Sequence, residues 1–192
     1  MHRLQRVVFS LLTLMLFAVP SQAQRIRDTK QEWGVFSGGG PSISGGVQDR
    51  GFWLAGLRWG RRLTGELGDS WARGHVQYAV EAIPLYFQFQ SETVYGAGVT
   101  PFLLRYHFTA SDRLVPFVEA GAGMLLTTDQ VPEDTSRFNF TPQAGVGMQV
   151  ASSGNSGWVL GLRYHHTSNA GIARRNPGIN AIMFHAGFSW WR

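Results

Sequence analysis

A histidine and a serine two residues apart, followed by a short polar turn, form the one stretch of this sequence whose residue types suit catalysis: His166-Thr167-Ser168-Asn169-Ala170-Gly171. A serine hydroxyl becomes a nucleophile when a base lies within hydrogen-bond reach. The base needs a third group to hold its other ring nitrogen, and the tetrahedral oxyanion needs donors. Ser168 suits the nucleophile and His166 the general base and then acid. Asn180 suits the orienter, and Asn169 with Gly171 the oxyanion donors. Such a set hydrolyses esters. Arg174 and Arg175 follow in the same stretch, and their guanidinium groups match phosphate geometry, although a solvated basic loop explains them equally well. Asp129, Glu133 and Asp134 are a weaker candidate for binding divalent cations.

These residues need a scaffold, and the apolar pattern predicts one made of strands. Beyond Gln24 the apolar residues alternate with period two, in segments over 31–39, 50–61, 73–83, 97–108, 114–126, 138–150, 156–167 and 179–191. Each is close to the roughly nine to eleven residues a tilted strand needs to cross a bilayer. One face is apolar with aromatic ends, as in Trp53, Ala55, Leu57 and Trp59, or Thr100, Phe102, Leu104, Tyr106 and Phe108. The other carries Arg58, Glu81, Arg105, His107, Glu119, Gln143, Arg163 and His185 among glycines. A soluble barrel buries its apolar face, whereas a membrane barrel turns it outward between two aromatic girdles. The aromatic ends favour the second: an all-β, eight-stranded antiparallel transmembrane barrel, with a secreted soluble β-barrel as the alternative.

An even strand count with the N-terminus on the periplasmic side puts extracellular loops at 40–49, 84–96, 127–137 and 168–178, and short turns at 109–112 and 152–155. The 62–72 stretch is long for a periplasmic turn, and the pattern gives no reason for it. Parity places Trp158, Leu160, Leu162, Tyr164, His166 and Ser168 on the lipid-facing side of strand seven and Asn180 on that of strand eight, so three polar groups, His166, Ser168 and Asn180, share one apolar wall. If His166 pairs opposite Asn180, their Cβ atoms lie about 5 Å apart. Polar groups facing hydrocarbon are costly, so a cluster of them is a functional-site hypothesis by default. His165, His107 and His185 point into the lumen without metal-ligand spacing, so no metal site is expected.

At the N-terminus Arg3 and Arg6 precede an apolar run from Val7 to Val19, then Pro20 and Ser21-Gln22-Ala23. This is the pattern of a secretory signal peptide cleaved after Ala23, leaving a barrel domain over 24–192. The formal net charge of +5 includes both arginines, so the mature chain is only mildly basic. Scattered arginines on an exported chain argue against nucleic-acid binding. The absence of cysteine removes disulfide scaffolds and thiol chemistry.

The His-x-Ser-Asn-Ala-Gly run at the end of the seventh strand resembles the lipid A 3-O-deacylases of Gram-negative outer membranes, the PagL family. The resemblance rests on that local motif; over the rest of the chain it is one of barrel pattern and size. It implies an eight-stranded barrel with its serine, histidine and acid on the membrane-facing wall. It also implies lipid A or lipopolysaccharide as substrate and partner, an outer-membrane location, and no metal or organic cofactor. Where the family pattern has a glutamate, this chain has Asn180. An amide orients a histidine without stabilising the imidazolium by charge, so two readings stay open: a serine esterase using an amide, and a non-catalytic barrel with a structural or lipid-binding role. A homodimer is left open as well.

Overall fold

The computed structural model describes residues 29–111, 113–152 and 154–192, so the expected signal peptide lies outside the described residues. Eight antiparallel strands close into one barrel, β1(Gln31–Ile43), β2(Gly51–Arg62), β3(Gly74–Phe89), β4(Thr93–Phe108), β5(Leu114–Thr127), β6(Phe138–Ala151), β7(Ser156–Thr167) and β8(Ile179–Trp191). Each strand pairs with its sequence neighbours, and β1 pairs with β8 to close the ring. Closure leaves no strand edge, which is what a bilayer core without water demands of a sheet.

The polarity is inverted relative to a soluble barrel. Trp33, Leu57, Phe102, Leu104, Leu126, Val146, Leu160 and Phe184 are exposed on the outer wall. Arg58, Arg105 and Arg163 are fully buried inside with Glu32, Glu81 and Glu119. Arg163 bridges two of the carboxylates, donating to Glu81 at 2.8 and 2.9 Å and also to Glu119. Arg58 donates to Glu81 at 2.6 Å and Arg105 to Glu119 at 2.8 Å. Glu32 accepts from Gln77, Gln149 and Ser189. The charges therefore answer one another across a lumen with no room for a channel. Apolar layers close it on either side: Phe36, Phe52, Leu54, Tyr86 and Met183 toward the extracellular end, and Val115, Phe117, Val159 and Trp191 toward the end carrying the termini. Aromatic pairs ring the outer wall at both ends, including Trp33–Trp59, Phe188–Trp190, Trp53–Phe87 and Phe138–Phe140. A polar interior, an apolar wall and two girdles are the arrangement of a transmembrane barrel.

Three expectations change. β3 and β4 run on past Pro84, so the connection expected over 84–96 shrinks to 90–92. A register shift between Ile83 and Tyr86 absorbs the proline, which cannot donate to a ladder. β1 likewise continues to Ile43, which shortens the first loop. Thr100, expected outside with Phe102, is fully buried in the lumen and accepts a hydrogen bond from Gln143 at 3.1 Å. A bulge between Val99 and Phe102 reverses the alternation there, since one extra residue flips every side chain before it.

Candidate active site

The seventh and eighth strands build the site by register alone. His166 and Asn180 are direct cross-strand partners, and Tyr164 lies two residues before His166 on the same outward face. The neighbours that alternate with them, Arg163, His165 and Thr167, are buried in the lumen. Ser168 falls just past the end of β7, where its backbone still pairs with Phe140: its N–H donates to the Phe140 carbonyl at 3.1 Å, and its own carbonyl accepts at 2.7 Å. This bridge carries the strand alternation one step further and keeps Ser168 on the side of His166.

Hydrogen bonds orient the imidazole. The Asn180 amide nitrogen donates to the Ser44 carbonyl at 3.3 Å, so its oxygen faces the other way. That oxygen accepts from the Tyr164 hydroxyl at 2.6 Å and pairs with His166 Nδ1, also at 2.6 Å. An amide oxygen only accepts, so the proton in this pair sits on Nδ1. Neither Nε2 nor the Ser168 hydroxyl has a hydrogen-bond partner among the described residues. The structure thus joins His166 to Asn180 and leaves Ser168 beside them on the same face, without a hydrogen bond between serine and histidine.

Two glycines make room for this arrangement. Gly178 has φ +66°, and a Cβ there would stand 2.8 Å from His166 Cε1 and 3.4 Å from Nε2. Gly45 has φ +95°, and its Cβ would meet the Asn180 amide nitrogen at 2.8 Å. We expect Gly178→Ala to displace the His166 imidazole, because the added Cβ would crowd Cε1 at 2.8 Å and the left-handed φ disfavours any side chain there. The barrel itself should persist, seen as an unchanged heat-dependent shift on electrophoresis. His166 ring resonances unchanged from the wild type in NMR spectra of this variant would mean that the space at Gly178 does not seat the imidazole.

The donors expected at the oxyanion have other engagements. The Asn169 side chain donates to the Arg175 carbonyl at 2.8 Å and accepts from Gly171 N–H at 2.9 Å, while its own N–H donates to Asn176 at 3.0 Å. Asn169 is therefore the staple of the fourth loop, with both its N–H and that of Gly171 occupied. Ala170, at φ +52°, has an N–H without a partner among the described residues.

The loops above the site are tied by ion pairs. Arg175 meets Asp134 at 3.2 Å, both well exposed, whereas Arg174 has no ion pair among the described residues. Arg50 grips Glu133 through two nitrogens, and Ser91 donates to the same carboxylate. Partial burial alone would push that carboxyl up, but hydrogen bonds from Ser91 and Arg50 outweigh it and hold its pKa at about 2. Asp129 lies 3.9 Å from Arg137. The three acids weighed as a cation site are thus each beside an arginine.

Sequence reasoning missed Tyr164, Ser44 and Gly178. Tyr164 reads as one more girdle aromatic, and Ser44 takes part through a backbone carbonyl, which no residue type announces.

Comparison with known proteins places this geometry among relatives. A family model described as lipid A 3-O-deacylase (PagL) matches residues 48–189. The lipid A deacylase PagL of Bordetella bronchiseptica is 32% identical over 139 residues, 67% of this chain and 63% of that protein. That of Pseudomonas aeruginosa is 35% identical over 79 residues, 40% of this chain and 43% of its own length. The matched stretches thus span less than two thirds of either relative. Among solved structures, that of the outer membrane enzyme PagL superposes with a TM-score of 0.63 at 24% identity, covering 80% of this chain and 97% of the other.

Proposed function

Because the chain belongs to the lipid A 3-O-deacylase (PagL) family, we propose that it is an outer-membrane hydrolase that removes an ester-linked 3-O-acyl chain from lipid A by a serine-histidine mechanism. The observation that carries this reading is the single-sided cluster on the outer wall. His166 is held through Nδ1–H by Asn180, and its side chain shares the outward face with Ser168. A substrate anchored in the outer leaflet brings its acyl ester to that face without leaving the membrane.

In this mechanism His166 Nε2 takes the Ser168 proton as Oγ attacks the acyl carbonyl carbon. The tetrahedral intermediate collapses by breaking the bond to the sugar oxygen, which leaves with the proton held on Nε2. Water, deprotonated by the same nitrogen, then attacks the acyl-serine; the bond to Oγ breaks, Nε2 returns its proton to Ser168 and the fatty acid is released. Asn180 keeps the productive tautomer, and Tyr164 fixes Asn180. The tautomer matters because replacing the acid of a serine triad costs on the order of 10⁴ in rate when the amide selects the wrong one. Here the Ser44 carbonyl prevents that error by claiming the amide nitrogen. The developing oxyanion is met at the 169–171 turn. Ala170 N–H is open to it, while Gly171 N–H and the Asn169 amide serve only if the loop re-aims them. Arg174 is the cation available for a lipid A phosphate, and Arg175 becomes available on leaving Asp134.

The second reading, a lipid-binding barrel without turnover, draws on the neutral Asn180 and on the missing serine-histidine hydrogen bond. Substitution at residue 180 separates the two. Mass spectrometry of lipid A incubated with the purified protein should show loss of one hydroxyacyl chain. Asn180→Glu should hold or raise that activity, since a carboxylate at this register also accepts from Nδ1–H. Intact lipid A with both proteins would overturn the hydrolase reading in favour of binding.

A further inference from the structure

The long connection between β2 and β3 is an ordered strap with two unlike sides. Its polar side closes on the barrel. Leu63 N–H donates to the Val76 carbonyl at 2.8 Å and Thr64 Oγ accepts from Val76 N–H at 3.0 Å. Leu67 and Gly74 exchange backbone hydrogen bonds at 2.7 and 2.9 Å. Glu66 turns toward the lumen mouth, accepting from Thr109 Oγ at 2.7 Å and lying 3.3 Å from Arg62 and 3.7 Å from Arg73. The apolar side faces away: Leu63 is 57%, Leu67 43% and Trp71 79% exposed, Trp71 being the most exposed of the large hydrophobic residues described.

Three observations say what covers that side. Leu63 continues the outward alternation of β2 from Trp53, Leu57 and Trp59 through the exposed Arg61, so it prolongs the lipid-facing wall. The outward-facing Tyr106 of β4 lies across Gly74 and donates to the Ala72 carbonyl at 2.7 Å, tying the strap to the girdle from outside the barrel. Trp33 and Trp59, cross-strand partners with ring centroids 6.5 Å apart, mark the same rim. The other connections at this end, around Ala110 and Gly154-Asn155, expose no large apolar residue among those described.

We propose that Leu63, Leu67 and Trp71 form an interfacial anchor that docks on phospholipid of the periplasmic leaflet, with Arg61 at the level of the phosphates. Amphipathic aromatic rings and arginines settle at that depth, with the ring at the headgroup boundary and the cation snorkelling to phosphate. The anchor holds the β2–β4 side of the barrel, whose middle strand, β3, lies four strands around the ring from β7 and the proposed active site. It thereby fixes the depth and tilt of the wall on which His166 and Ser168 meet lipid.

The chain has no cysteine, so single-cysteine labelling is clean. Trp71→Cys, carrying an environment-sensitive fluorophore, is refolded into phosphatidylethanolamine–phosphatidylglycerol vesicles. Asn155→Cys, on an exposed turn at the same end, serves as the reference, and Leu67→Cys replaces Trp71→Cys if that variant does not fold. At position 71 the label should be quenched by lipid bearing a headgroup-proximal nitroxide and shielded several-fold from iodide supplied on both sides of the membrane. At position 155 the pattern should reverse. Equal iodide quenching at the two positions, with no nitroxide effect at 71 or 67, would overturn the anchor.

Discussion

Ser168→Ala is expected to lower lipid A deacylation at least ~10³-fold, in line with the loss of a triad nucleophile. Folding should be untouched, because the Ser168 hydroxyl holds no hydrogen bond among the described residues and the bridge to Phe140 is made by backbone atoms. His166→Ala should cost about as much, and the double variant no more than either alone, since residues that act as a unit are strongly non-additive when removed. Mass spectrometry of the acyl content of lipid A against time reads all three. Equal rates in wild type and Ser168→Ala would end the serine mechanism even if deacylation itself continued.

The largest effect on stability is expected inside the barrel. Arg163 lies between Glu81 and Glu119 with every nitrogen of its guanidinium engaged. Arg163→Met removes the shared cation and leaves those buried carboxylates to Arg58 on Glu81 and to Arg105 and His185 on Glu119. Breaking a buried ion pair from one side costs about 3–5 kcal/mol, because an uncompensated charge remains. Urea unfolding of barrels refolded in vesicles should show this as a lower midpoint or as a failure to assemble. A midpoint equal to that of the wild type would mean that the lumen charges are hydrated and that the buried network contributes little.

The division between what could and could not be read from residues follows the physics of strands. Period-two alternation is rigid over a strand, so the outward face of His166 and the inward face of Arg163 follow from counting, as does the pairing of His166 with Asn180 once the hairpin is drawn. Counting fails where the backbone inserts a residue. The bulge between Val99 and Phe102 carried Thr100 inside, and the shift at Ile83 hid the continuation of β3 past Pro84. It also fails where backbone atoms or space do the work. The Ser44 carbonyl that orients Asn180 depends on the first loop folding over the site, and the cleared volume at Gly178 on the left-handed turn that ends the fourth loop, neither of which alternation encodes. Asn169 shows a third limit. Its residue type suits an oxyanion donor, yet the turn of the loop uses its hydrogen bonds first.

The outward site and the closed lumen belong together. With the interior occupied by the arginine–glutamate network, the cluster of His166, Ser168, Asn180 and Tyr164 stands on the lipid-facing wall, where the proposed lipid A substrate would meet it. The girdles and the strap at the opposite end then set how high that wall stands in the outer leaflet.

The proposed chemistry comes down to one reactive atom, Ser168 Oγ, activated on the outside of the barrel. Incubation with a long-chain alkylphosphonate p-nitrophenyl ester, followed by intact-protein and peptide mass spectrometry, tests this directly, because an activated serine displaces p-nitrophenolate from phosphorus far faster than an ordinary hydroxyl does. One phosphonyl group should appear on the peptide containing Ser168, and none in His166→Ala. Deacylation that proceeds while Ser168 stays unlabelled, or a phosphonyl group found on another residue, would contradict the account.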